Sequence, residues 1–333
     1  MLSARSVRLL AGFLIGGCTL APAALAEPAT RPEPRPAKPG APDPAANTGL
    51  IDLRPKWSVG QPIRYTMKQV STSQMPDISD PKKTTKVTNT QEIGFDLVPK
   101  AVDAETGQAT VDMVYRTVRI KLEGAGVDLD FDSTKPDPSK KPGQDMDPSA
   151  MLSGFMRGMV GTTLTLTFDK SGTITSVSGG QSLDPTGLLS GLGGAAGAGG
   201  AGASPGGSLF GPISTSGATG GLVKLGQKWT HINNLAVGPL GEMAMKTDHE
   251  MRSHRANRAE VEFKGRIDQA SAGKEAIAQV KAATQSGKYV WDTAKGQLVS
   301  MTMEQRVVQN QPGVQKAAEA TSTTTMTVTR ADR

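Results

Sequence analysis

Cysteine occurs once in the 333 residues, at Cys18, so the chain has no disulfide to staple it and no thiol pair for redox or metal chemistry. Histidine is nearly as scarce, with only His231, His249 and His254. His249 and His254 fall on opposite faces of a strand and far apart around a helix, which suits no shared metal, and all three read as solvated surface residues. Aromatic residues make up 4% and hydrophobic residues 37%, so the core is expected to be thin, sheet-like and built from Val, Leu, Ile and Met. Charge forms no run of one sign; the formal +6 is interspersed with acids, which offers little to nucleic acid.

The chemical motifs are missing as well. There is no Walker sequence and no nucleophile elbow. Gly197, Gly199 and Gly202 spell G-x-G-x-x-G inside a Gly/Ala run, without the strand before it or the amphipathic helix after it that a dinucleotide site needs. Asp128, Asp130 and Asp132 begin like a calcium loop, but Ser133 stands where Gly is required and Ser139 where a bidentate Glu is required. Arg252, Arg255 and Arg258 suit either an anionic head group or ordinary strand-face charge. The chain therefore reads as a non-enzyme, with no catalytic residue, no metal site and no cofactor.

What is present begins with an export signal over residues 1–26. Arg5 and Arg8 precede an apolar run too short to span a bilayer stably, and Ala24-Leu25-Ala26 is a small-residue cleavage site. Ile15-Gly16-Gly17-Cys18 offers a second reading, a lipobox that would leave Cys18 lipidated. The protein is expected to be exported and periplasmic or extracellular, or else a membrane-anchored lipoprotein whose only membrane contact is that anchor. Residues 27–49 carry Pro28, Pro32, Pro34, Pro36, Pro39, Pro42 and Pro44 and read as an extended tether.

From Ile63 the side chains alternate as in a strand with one wet face: Ile63, Tyr65 and Met67 against Arg64, Thr66 and Lys68. Val87, Ile93, Phe95 and Leu97 repeat the pattern, and further strands are expected near 110–122, at Val127–Phe131, at Val261–Ile267 and at Thr321–Thr329. Asp147-Pro148 is a helix start, and the stripe Met151, Phe155, Met156 and Met159 predicts one main helix over about 148–159. Residues 179–221 collapse into Gly, Ala and Ser and read as a flexible insertion.

One hairpin is made twice. Leu164, Leu166 and Phe168 lead into Asp169-Lys170-Ser171-Gly172, and Tyr289 and Trp291 lead into Asp292-Thr293-Ala294-Lys295-Gly296. In each, Asp caps the turn and Gly supplies positive φ. Each copy has an opening phrase upstream, Ser58-Val59-Gly60-Gln61 and Lys224-Leu225-Gly226-Gln227. The expected fold is mostly β: antiparallel sheet from two related halves, 50–178 and 222–330, forming a half barrel or two-sheet sandwich with one main helix.

Signal, proline tether, G-Q phrase, helix ending in Met159-Val160-Gly161 and Asp-to-Gly hairpin, in that order, resemble an uncharacterised family of exported bacterial β-rich proteins, many of them predicted lipoproteins. The resemblance covers about Leu50 to Arg306 apart from the insertion, and it brings no activity with it. A looser similarity of architecture is to lipoprotein-carrier half barrels, which implies a concave face holding acyl chains under a helical plug. The expected function is a non-catalytic cell-envelope protein binding an apolar or amphiphilic, lipid-like ligand between sheet and helix, at Met151, Phe155, Met156, Met159, Trp229 and Trp291. The alternative is a structural or protein-interaction module with a fully packed core.

Overall fold

A computed structural model describes residues 49–76, 83–124, 127–136, 148–179, 219–236, 242–267, 280–310 and 319–331. The expected signal, tether and insertion lie outside these residues, except at the margins of the last two. The chain runs β1 (Ile51–Asp52), β2 (Ile63–Pro76), β3 (Thr84–Val102), β4 (Ala109–Gly124), β5 (Val127–Asp132), α1 (Pro148–Met159), β6 (Thr163–Phe168) and β7 (Ile174–Gly179). It resumes with β8 (Leu222–Val223), β9 (Lys228–Ala236), β10 (Glu242–Arg255), β11 (Arg258–Ile267), β12 (Val280–Asp292), β13 (Gln297–Asn310) and β14 (Glu319–Arg330).

Nearly all of these strands join one antiparallel sheet, in the order β7-β6-β4-β3-β2-β14-β13-β12-β11-β10-β9. The outer edge of β4 is shared: β6 takes its first half and β5 its second. β1 pairs separately with β8. Each half is a meander, as expected of strands joined by short turns. The last strand, β14, lies between β13 and the first long strand, β2, and so sews the two halves together. Bulges interrupt the pairing of β3 with β4, β10 with β11 and β12 with β13. Such bulges raise local twist and bend the sheet.

The repeat extends to hydrogen bonding. Gly60 and Gly226 have φ of 76° and 78°. The N–H of Gly60 donates to Pro99 O at 2.9 Å, and that of Gly226 to Met251 O at 2.8 Å, in each case on the second strand of its half. Met251 returns a bond from its own N–H to Gln227 O at 3.0 Å. Pro99 has no N–H and returns none.

One face of the sheet is buried and the other wet. On β2, Ile63, Tyr65 and Met67 are buried while Arg64, Thr66 and Lys68 are exposed. The core departs from the expectation in composition. Aromatics are few, but all three tyrosines, with Phe95, Phe131, Phe168, Phe263, Trp229 and Trp291, are inside. Large flat rings fill a curved sheet's interior with fewer residues than aliphatic chains need. α1 ends at Gly161 (φ 85°), whose N–H donates to Tyr115 O at 2.8 Å, and its buried Met156 and Met159 join the same core.

Candidate ligand-binding cleft

At the end of the sheet where β2 begins, residues 53–57 form a strap. Asp52 sets its course: its carboxylate accepts from Arg54 N at 3.0 Å, Arg54 Nε at 2.8 Å and Arg54 Nη2 at 3.0 Å. Burial alone would raise the Asp52 pKa, but the bonds and charge of Arg54 outweigh it and hold the group below its usual value. Leu53 N donates to Gly221 O at 2.9 Å, and Lys56 N to Gly296 O at 3.1 Å. Lys56 Nζ donates to Thr293 O at 2.8 Å, and the Trp57 ring rests on Phe168 with centroids 5.0 Å apart.

Beneath the strap is a narrow cleft of about 40 Å³, partly open to solvent. Trp57, Phe168 and Trp291 wall it together with Leu53, Tyr65 and Leu298, and Ser171 and Gln297 stand among its polar lining. Phe168 and Trp291 are equivalent in the repeat, each immediately before the turn Asp. The Tyr65 hydroxyl donates to Leu298 O at 3.2 Å, and burial raises its pKa well above the phenol range.

Of the residues singled out from sequence, the structure places Trp291 at this cleft. Trp229 lies elsewhere, and Met156 and Met159 are packed near β4. The side chains of Met151 and Phe155, and Cys18, lie outside the described residues. The cleft is therefore between sheet and strap, whereas the sequence suggested sheet and helix. Trp57, Tyr65 and Phe168 were missed. The matching steps of Phe168 and Trp291 in the repeat were the available signal.

A second inward feature corrects the reading of the histidines. His249 is buried, lying parallel to the Trp229 ring with centroids 5.2 Å apart, and Phe263 and Tyr289 complete an aromatic cluster. It occupies the inward step of β10 between Thr247 and Met251. Burial, with His231 adding to it, pushes its pKa down to about 3. Both His249 ring nitrogens, Trp229 Nε1 and the Tyr289 hydroxyl make no hydrogen bond within the described protein. Gly287 makes room for the cluster, since a Cβ there would stand 2.7 Å from Phe263 Cζ.

Next to this cluster a neutral polar row crosses seven strands in register: Thr247, Gly265, Gln285, Gln305, Thr324, Ser71 and Asn89. Gln285 Nε2 donates to Thr247 Oγ1 at 2.7 Å, and the Ser71 and Thr324 hydroxyls bond at 2.8 Å. No charge stands on this row. The outward Asp132 does not converge with Asp128 and Asp130 on a cation; it pairs with Arg119 at 3.1 Å.

Residues 106–184 match a family of unknown function, DUF6263, a narrower span than the motifs suggested. The matched stretch runs from the β3–β4 turn through the first hairpin. No curated protein matches the chain by sequence. Among solved structures the chain is similar to one described as lipid–protein interactions in lipovitellin (TM-score 0.46, 11% identity, 83% of this chain and 26% of that one). The chain thus spans about a quarter of the lipovitellin chain's length. A more distant likeness is to an outer-membrane channel from Pseudomonas putida F1 (TM-score 0.22, 11% identity, 83% of this chain and 97% of that one). Another is to Pseudomonas aeruginosa OpdQ (TM-score 0.19, 6% identity, 82% of this chain and 99% of that one).

Proposed function

We propose that this is a non-catalytic protein of the cell envelope that binds an apolar or amphiphilic, lipid-like molecule in the cleft beneath the strap. The cleft itself carries the reading: it is walled by Trp57, Phe168 and Trp291 and reachable from solvent. An aromatic wall gains most from an apolar guest. The polar groups nearby are engaged structurally. Ser171 Oγ bonds Asp169 Oδ1 at 2.6 Å within its own turn, and among the described residues no nucleophile–base pair faces the cleft.

Two of the three tryptophans border the cleft, so intrinsic fluorescence reads its occupancy. Titration with a lysophospholipid should give a saturable blue shift, and native mass spectrometry of protein purified from its own envelope should show a bound lipid. A silent titration with no co-purifying lipid would reject this reading. It would favour the other one, a structural or interaction module, which the thorough burial of the inward apolar residues supports.

A further inference from the structure

The connections at the cleft end of the sheet form one rim. Antiparallel strands return alternately to either end. At this end lie the chain entering β2, the β3–β4 and β6–β7 turns, the chain entering β9, and the β10–β11 and β12–β13 turns. Contacts link them in series. Gly107 abuts Lys170, Gly172 abuts Pro55, Lys56 N donates to Gly296 O at 3.1 Å, and Thr293 N donates to Asn257 O at 2.8 Å.

Two of these connections carry a bare apolar side chain at equivalent places in the repeat. Val59 and Leu225, each just before its turn glycine, are 60% and 63% exposed. A Cβ on Gly60 or Gly226 would meet nothing within 4 Å, so both turns project from the rim. One exposed aliphatic residue needs no explanation, but the same exposure at matched turns makes a pair of apolar tips.

Charge on the rim is one-sided in the second half. Arg252, the first of the three arginines noted in the sequence, sits back from the hairpin tip and donates to Glu250 Oε1 at 2.6 Å and Glu262 Oε2 at 2.8 Å. Arg255 and Arg258 flank the tip, where Ala256 and Asn257 take φ of 48° and 61°, and both arginines are exposed. Lys224, beside Leu225, and Lys295, in the β12–β13 turn, are exposed as well. Among the described residues Lys224, Arg255 and Arg258 form no ion pair. The acid of these turns, Asp292, is engaged by Arg330 Nη2 at 3.4 Å and Lys295 N at 3.0 Å. In the first half Lys170 faces Asp103 and Glu105 across the contact at Gly107, so the excess of positive charge falls on the second half. Leu225 belongs to the same patch: Gly226 N bonds Met251 O at 2.8 Å, and the four residues from Met251 to Arg255 span about 13 Å of strand.

We propose that this rim docks on a bilayer surface bearing anionic lipid, with Leu225 and Val59 entering the interface and Lys224, Arg255, Arg258 and Lys295 meeting the head groups. Apolar tips set among cations are the combination that holds a protein at such a surface. Separate projecting turns fit a soft, laterally mobile layer, whereas a folded acidic partner needs a closely complementary surface. The cleft is walled by rim residues Pro55, Gly172 and Gly296, so docking brings it against the bilayer. None of the docking residues lines the cleft, and the docking surface stands whatever the cleft holds.

The probe is a vesicle of phosphatidylcholine containing phosphatidylglycerol, added to protein purified from its own envelope, so that parent and variants share one N-terminus. Saturable binding that weakens with salt is expected, together with slowed amide exchange at residues 58–61, 224–227 and 255–258. The double variant Arg255→Gln/Arg258→Gln should weaken binding about tenfold or more, and Leu225→Ser should weaken it severalfold. Lys264→Gln/Arg266→Gln removes the same charge from exposed positions on β11 that begin about 20 Å along the strand from Arg258, and should leave binding unchanged. Equal losses in the two double variants would overturn the proposal, as would equal binding to pure phosphatidylcholine or tips that exchange as fast on vesicles as in solution. Polyglutamate that protects the tips as well as vesicles do would also overturn it, and would assign the rim to an acidic polypeptide.

Discussion

Gly172 and Gly296 close equivalent hairpins in the two halves, and both turns are butted against adjacent residues of one strap, Pro55 and Lys56. A Cβ on Gly172 would stand 2.7 Å from Pro55 Cδ, and one on Gly296 would stand 2.4 Å from Lys56 N. Both glycines also have positive φ, 85° and 59°. Gly60 separates the two effects, because it has φ 76° with nothing within 4 Å of a Cβ. Gly60→Ala should therefore cost about 1 kcal/mol from backbone strain alone. Gly296→Ala should cost about 2–3 kcal/mol, because it must also move the strap backbone. Urea midpoints measure both, and equal losses would show that the strap is not seated on the turn.

Asp96 on the wet face ties three strands together. Its buried carboxylate accepts from Arg64 Nε on β2 at 2.8 Å and from Arg116 Nε on β4 at 2.9 Å. Burial alone would raise its pKa, but the two guanidiniums reverse that and hold it below 3.8. A depressed carboxylate pKa contributes stability above the unfolded value and loses it as pH falls through the folded value. Both arginines are about half exposed, so solvent screens the pairs and Asp96→Asn should cost only about 1 kcal/mol at neutral pH. The two stability curves should converge as pH falls below 3.8 and through the lower folded value. A gap that persists in acid would mean that shape, not charge, holds the strands.

Trp57 is half-buried and joins the strap to Phe168, whereas Trp291 is nearly enclosed. Trp57→Ala should therefore unroof the cleft with a modest stability loss of about 1–2 kcal/mol, below the range for a fully buried aromatic. Lysophospholipid affinity, followed through Trp291, should fall by about tenfold. Unchanged affinity would place the ligand away from the strap.

The strand alternation, the repeated Asp-to-Gly turns, the helix and the threonine-rich closing strand were legible because each is a local pattern of period 2 or 3.6 or a turn with fixed chemistry. The pairing of β14 with β2 was not, since contacts such as Met326 with Gln69 join residues far apart in sequence and leave no local trace. The strap was also hidden: residues 53–57 have no periodicity, and their order comes from Asp52, Gly221 and Gly296. His249 was legible in principle. Continuing the alternation from Met243 and Met245 through Thr247 puts His249 inside, but a histidine with no visible partner reads as solvated until its aromatic neighbours are known.

His249 should make the fold acid-sensitive. In the unfolded chain its ring takes a proton near pH 6.5, but in the folded protein burial among Trp229, Phe263 and Tyr289 pushes the pKa down to about 3. Below pH 6.5 the unfolded state binds a proton that the folded state refuses, so stability falls as pH drops from 6.5 towards 3. The neighbouring Asp248 opposes the shift slightly, and His231 adds to it. The full linkage over that window is roughly 4 kcal/mol. His249→Phe keeps a flat ring against Trp229 and removes the two ring nitrogens that lack hydrogen-bond partners. The variant should lie within about 1.5 kcal/mol of the parent at pH 8 and gain on it steadily below pH 6.5. Urea titrations at pH 8, 6, 5 and 4 measure this. Parallel curves would mean that His249 is protonated in the folded state, by water or a partner entering the aromatic cluster.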